Sequence, residues 1–409
     1  MLPWALQELD EQRLTEVVAN GREEGQTLEY KRSMSFENSE EKLKVLKAVS
    51  AFANTFGGDL VIGVDAPDGV PTSSSIVGVP VAEIDAFKLA FESFTRDSLE
   101  PSLPAGAVIF KSIPIGLDNA RAVLVARVTQ SWLGPHRIGK KGNREFWTRT
   151  SAGKEPMTIW QLRDAFMLSG AAREKVREFV IRRIDDITPG GGRPDTPVAL
   201  PSDMPKFVLH VIPIAGFARQ DLRIDVVRYR QNSGKLRPIS TFRNWETALN
   251  LDGVVAFRGA NYPTVGYTQL YREGMLEAVQ CVPAQVQAGS SPPEREMYVG
   301  YFESEMRDAL SQYRSLLADE GIGAPISIWL TLLDASNCRL SYTQMNYRRS
   351  PRMVGSNVAT LPEVLIHDAA GEVDGQLKIL FDALWNCGDV PASPSFDEAG
   401  IWCGHKFQA

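Results

Sequence analysis

From Thr27 to Lys31 polar and apolar positions alternate, with Thr27, Glu29 and Lys31 in one phase and Leu28 and Tyr30 in the other. A period of two predicts a half-buried strand that carries Glu29 and Lys31 on one face. The same alternation returns over residues 60–65, where Val61, Gly63 and Asp65 alternate with Leu60, Ile62 and Val64. It predicts a second strand ending on a carboxylate. A glycine pair, Gly57-Gly58, separates that strand from a helix over residues 39–56, on which Val45, Val49, Phe52 and Phe56 share a face at helical spacing. If the two strands pair, Glu24, Glu29 and Asp65 converge at one edge of a small sheet, with Lys31 beside them.

The rest of the first half reads in the same terms. Residues 5–19 form a helix on Leu6, Leu9, Leu14, Val17 and Val18, stopped by Asn20-Gly21. Residues 76–79 form a short strand, and a helix over 81–99 presents Ile84, Phe87, Leu89, Phe91 and Phe94. Strands follow over 107–113, 121–129 and 145–150, then helices over 158–169 and 171–187. Strands mixed with segregated helices predict an α+β domain, a mixed sheet with packed helices. Pro and Gly crowd residues 188–205, which read as a linker. Beyond it, strands over 207–215, 253–259 and 324–333 and helices over 294–319 and 377–385 suggest a C-terminal α/β domain. The division is 1–187, 188–205 and 206–409, and the last part suits sensing, dimerisation or substrate holding.

Composition narrows this little. Hydrophobic residues make up 44% and charged ones 23% of 409 residues, an ordinary globular balance. The formal net charge of −6 argues against a protein that coats nucleic acid, but not against one with a local basic groove. The four cysteines, Cys281, Cys338, Cys387 and Cys403, are widely spaced and read as reduced thiols. Cys403 and His405 offer two ligands where a zinc site takes four. No apolar run is long enough to span a bilayer, and the first residues show no signal pattern, so a cytoplasmic protein without a membrane partner is expected.

Charge placement changes the picture more. Three carboxylates with a lysine suit a hard cation such as Mg2+ or Mn2+, which takes oxygen ligands and can activate water against a phosphodiester, while the lysine holds the phosphate. Taken singly, each residue also reads as an ordinary exposed side chain. Residues 134–142, Gly-Pro-His-Arg-Ile-Gly-Lys-Lys-Gly, match a phosphate-loop pattern, except that Lys141 replaces the hydroxyl residue that would hold Mg2+. An ATP site is therefore not expected. The stretch reads instead as a hairpin bearing Arg137, Lys140, Lys141 and Arg144, with Arg149 and Lys154 beyond, a set suited to a nucleic-acid backbone.

Glu24, Glu29-Tyr30-Lys31, the run Ala-Phe-Ala-Asn-Thr-Phe-Gly-Gly over 51–58, and Gly63-Val64-Asp65 stand in the order found in the Schlafen AlbA-like domain, which this chain resembles over roughly its first 170 residues. The resemblance implies a nuclease site on Glu24, Glu29 and Asp65, with Lys31 alongside, as in Schlafens that cut RNA. It implies a metal-dependent endoribonuclease acting on structured RNA, tRNA foremost, in a toxin or anti-phage role. The family's zinc is not expected, because no cysteine precedes Cys281 and His136 is the one histidine of that region. The family's two-lobed groove implies a homodimer or larger even oligomer, since one motif set is present. The alternative is a regulator of the same fold that binds nucleic acid without cutting it.

Overall fold

The computed structural model describes residues 1–4, 6–33, 38–72, 74–104, 106–116, 118–139, 144–150, 153–188, 195–218, 222–231, 233–240, 244–258, 265–286, 294–342, 349–367 and 372–404. The chain divides into two compact units, Met1–Ala171 and Ala172–Ala409. The division falls inside a helix rather than in the Pro/Gly-rich stretch 188–205.

The first unit comprises α1 (Glu11–Ala19), β1 (Leu28–Lys31), α2 (Ser39–Asn54), β2 (Gly58–Ile62), β3 (Val79–Pro80), α3 (Val81–Ser98), β4 (Leu99–Glu100), β5 (Val108–Ile115), β6 (Arg121–Val128), β7 (Arg137–Ile138), β8 (Trp147–Thr150), β9 (Gly153–Pro156) and the start of α4 (Ile159–Ile187). Its main sheet runs β1-β2-β6-β3, with β5 also on β6. β1 and β2 are parallel, with Lys31 opposite Ile62; the other pairs are antiparallel. Strand alternation sorts the two faces. Leu60, Ile62, Leu124 and Ala126 pack against Val49 and Phe52 of α2 and Phe87 and Phe91 of α3. Leu28, Tyr30, Val61 and Val123 pack against Leu14, Val17 and Val18 of α1. The fold is α+β, as its pattern predicts.

Several boundaries move for local reasons. The helix expected over 5–19 starts only at Glu11, because the Asp10 carboxylate accepts the Arg13 N–H at 2.8 Å and caps it there. α2 stops at Asn54, which leaves Phe56 60% exposed instead of on the packed face. Leu89, expected in the core, is also exposed. β2 ends at Ile62, before Asp65, since Gly63 takes φ +100 and turns the chain. The helices expected over 158–169 and 171–187 are one, because a single glycine, Gly170, weakens a helix without ending it.

The second unit holds the end of α4, then β10 (Lys206–Pro213), α5 (Ala215–Ala218), α6 (Val226–Gln231), β11 (Glu246–Leu249), β12 (Gly253–Phe257), β13 (Gly266–Tyr271), β14 (Leu276–Cys281), β15 (Ala284–Val286), β16 (Arg295–Tyr298), α7 (Gly300–Asp319), β17 (Ile326–Leu333), β18 (Cys338–Ser341), β19 (Arg349–Met353), β20 (Val358–Thr360), β21 (Val364–Ile366) and α8 (Asp374–Asn386). Among the described residues an eight-stranded sheet runs β11-β12-β13-β14-β10-β17-β20, with β21 on β17. A four-stranded sheet, β15-β16-β18-β19, accompanies it. The helix expected over 294–319 begins only at Gly300. Residues 295–298 pair in parallel with β18 instead, a long-range ladder that overrides the local helical period. The late half of α4 belongs here because Val176, Phe179, Val180 and Ile184 are buried and the Arg183 guanidinium grips Glu277 at 2.8 and 3.0 Å.

Candidate nucleic-acid interface

β1 is an edge strand, and its alternation turns Glu29 and Lys31 toward the side of the sheet that carries α2. There the β8–β9 hairpin delivers two more cations. Glu29 is 2% exposed. Its Oε1 accepts from the Lys154 ammonium at 2.7 Å and lies 2.8 Å from that of Lys31, and its Oε2 accepts from the Arg149 guanidinium at 2.5 Å. Burial would raise the carboxyl, but Lys154 and Lys31 outweigh it and hold it at about 2. Burial lowers the Lys154 ammonium despite its carboxylate partner. The carboxylate is the charge the cluster secures, since it faces three cations while Lys154 faces one anion and two like charges. One anion among three cations leaves a net positive site. Arg149 is buried at 4%, but the side chains of Lys31 and Lys154 remain 32% and 22% exposed.

The run over 51–58 builds the seat for this cluster. The Phe52 ring lies 4.5 Å under the Arg149 guanidinium. The Asn54 amide donates to the carbonyls of His136 and Trp147 at 2.8 and 3.0 Å, and its oxygen accepts the His136 N–H at 2.7 Å. The Thr55 hydroxyl accepts the Arg149 N–H at 3.1 Å and meets the Thr148 hydroxyl at 3.2 Å. A Cβ on Gly58 would lie 2.2 Å from the Phe52 ring, so only glycine lets the strand follow the helix this closely. The Lys47 ammonium sits 4.1 Å over the Trp147 ring. Each of these side chains fixes β8, and β8 fixes Arg149.

The other expected site residues hold other partners. Glu24 turns to the free edge of β1, where its Oε1 accepts the Tyr30 N–H at 2.7 Å. Asp65, past the end of β2, accepts from Arg32 at 2.7 Å. Among the described residues no three acidic, His or Cys side chains form a group able to hold a metal ion. The donor set does not fit Mg2+ or Mn2+: Glu29 is saturated by cations, and Glu24 and Asp65 are committed elsewhere. Gly63 ends the alternation before Asp65, and Glu24, Glu29 and Asp65 each hold a different partner. Arg137 pairs with Glu100 at 2.6 Å, across the ladder between β4 and β7. Arg144 is exposed, and Lys140 and Lys141 lie outside the described residues. Of the expected basic residues that are described, Arg149 and Lys154 join the Glu29 cluster. Arg32 was not expected to take part; its position next to Lys31 was the available signal.

The first unit is thus a mixed sheet with helices on both faces and a cluster of cations at its β1 edge. Residues 24–158 match the family model described as Schlafen, AlbA_2, so the first unit carries a domain of that family. No curated protein matches the chain. Among solved structures, the DIP2311 protein from Corynebacterium diphtheriae is similar at 20% sequence identity and a TM-score of 0.24, over 36% of this chain and 28% of its own. Among the described residues no helix is long and apolar enough to cross a membrane.

Proposed function

We propose that the first unit binds RNA through the sugar-phosphate backbone, with Lys31 and Lys154 as phosphate contacts and Glu29 as the buried anion that organises them. The observation behind this reading is the Glu29 cluster itself: three cations meet one carboxylate, and two ammoniums keep solvent access. A lysine head binds phosphate as a point charge without demanding base identity, so recognition follows backbone shape. Arg149 cannot reach solvent and acts by positioning Glu29. Structured RNA, tRNA foremost, is the substrate class the family resemblance favours, and a two-fold pair of chains would give such an RNA a second wall.

Cleavage is the second reading. Parallel pairing of β1 with β2 sets Lys31 beside the strand end that leads to Asp65, the placement the nuclease reading needs. It requires Glu24, Glu29 and Asp65 to leave their present partners. Incubating the protein with total RNA in Mn2+, Mg2+ or EDTA, alongside a filter-binding assay, separates the two. Binding that persists in EDTA with no new fragments in either metal supports the binder. Fragments that appear with metal and vanish with EDTA support the nuclease. Absence of RNA binding under every condition removes both.

A further inference from the structure

The second unit contains a chamber of about 380 Å³ at the adjoining ends of β13 and β14, walled on one side by the start of α7. Val265, Val282 and Phe302 make its apolar surface, and the rings of Tyr298 and Tyr301 stand at the same wall. Polar groups enter at few points, Ser240, Arg258, Gln280 and Glu305, the last with its carboxylate bound by Arg237. A narrower cleft beside it shares Arg258 and Gln280 and adds Asn244 and Trp245. This is the composition of a small-molecule site, apolar with a few placed polar groups.

The chamber is braced by the protein's own bonds. The Arg237 guanidinium binds Glu305, and also Asp308 at 3.3 Å. The Arg237 carbonyl accepts the Tyr313 hydroxyl at 2.6 Å, which ties the segment leading to Ile239 and Ser240 to α7. Phe302 stacks on Phe207 with ring centroids 3.8 Å apart. Two side-chain atoms of this frame are buried with no hydrogen-bond partner among the described residues, Arg237 Nε and Gln280 Oε1, and of the two residues Gln280 lines the chamber. The Gln280 amide nitrogen donates to the Cys281 carbonyl at 2.9 Å, whereas its Oε1 is buried with no hydrogen-bond partner among the described residues. Gly266 makes room for it: a Cβ there would lie 2.6 Å from that oxygen. A buried acceptor without a donor is destabilising, and a ligand N–H would satisfy it.

We propose that this chamber binds a mononucleotide. The base lies between the tyrosine rings and Val265 and Val282, an N–H of its edge donates to Gln280 Oε1, and the Arg258 guanidinium takes the phosphate. An alkyl chain would fill the apolar space but leave the Gln280 oxygen unmatched, and a sugar phosphate would leave the rings uncovered. The proposal is independent of the RNA reading, since no residue of the first unit enters it.

Isothermal titration of the full chain with AMP, GMP, CMP and UMP, their nucleosides, ribose 5-phosphate and laurate tests it. At least one mononucleotide should bind in the micromolar range, its nucleoside more weakly, and ribose 5-phosphate and laurate not measurably. Gln280→Leu should weaken the nucleotide about tenfold. Tyr301→Ala, at a half-exposed position, should also weaken it. The Lys31→Gln/Lys154→Gln protein should bind the nucleotide as the parent does. The proposal is overturned if no mononucleotide binds, if Gln280→Leu and Tyr301→Ala proteins bind it with the parent's affinity, if the Lys31→Gln/Lys154→Gln protein loses it, or if laurate binds more tightly.

Discussion

Glu29 shows how a residue type that suits metal chemistry can be turned to another task by its neighbours. The alternation over residues 27–31 placed Glu29 and Lys31 on one face, and the structure agrees. What the alternation does not contain is the hairpin that brings Arg149 from 120 positions away. That contact depends on Asn54 and Thr55 holding β8, a tertiary fact without local period. Removing one partner of a buried charge cluster leaves the rest uncompensated and costs about 3–5 kcal/mol. Glu29→Gln should therefore lower the unfolding midpoint by several degrees at neutral pH, and thermal unfolding checks it. The sign with pH is also fixed. The folded carboxyl is held at about 2, below the ordinary 4.5, so its contribution is present above 4.5 and is lost as pH falls toward 2. Urea unfolding across that window should show a steeper loss for the parent than for Glu29→Gln. Gly63 sets a second expectation. Its φ is +100 and an added Cβ would lie 2.9 Å from the Gly78 Cα, so Gly63→Ala should cost more than about 1 kcal/mol. An unchanged urea midpoint would show that the turn relaxes freely.

At the scale of elements, period and turn chemistry located most helices and strands of the first unit, because each buries one face against a sheet. They failed where a long-range ladder competes, as at residues 295–298, and where a single cap decides a start, as at Asp10. A buried junction in the second unit was likewise invisible in the sequence. Glu303 of α7 accepts from the Trp385 indole of α8 at 2.9 Å and from the hydroxyls of Ser393 and Ser395. Burial raises its carboxyl to about 7 despite these donors. Here the sign is opposite to that of Glu29. The folded state holds the proton more tightly than the unfolded one, so stability falls as pH rises from about 4.5 to about 7 and levels off beyond it. The loss is about 3 kcal/mol. Glu303→Gln should flatten this segment of the pH–stability curve and exceed the parent above neutrality, as read by chemical unfolding at a series of pH values. A variant that keeps the parent's slope would place the titration elsewhere.

For the molecule as a whole, net charge was a poor guide. A chain of formal charge −6 still gathers three cations around one buried carboxylate at the edge of its first sheet. Charge that reaches a phosphate decides binding, and only the fold shows which charges do. The second unit's organising residues were less legible still. His210 and Glu277 both lie on buried strands and meet at 3.1 Å, yet each alone reads as a stray polar position in an apolar run. The claim that most needs testing is that Lys31 and Lys154 carry RNA. Affinity of the full chain for tRNA, measured against salt concentration for the parent and for Lys31→Gln/Lys154→Gln, tests it directly; glutamine keeps a donor toward Glu29 while removing the charge. The expected result is weaker binding and a log–log salt slope reduced by roughly 1.4–1.8, two phosphate contacts' worth. A variant with the parent's affinity and slope would show that the cluster around Glu29 holds the fold together and touches no nucleic acid.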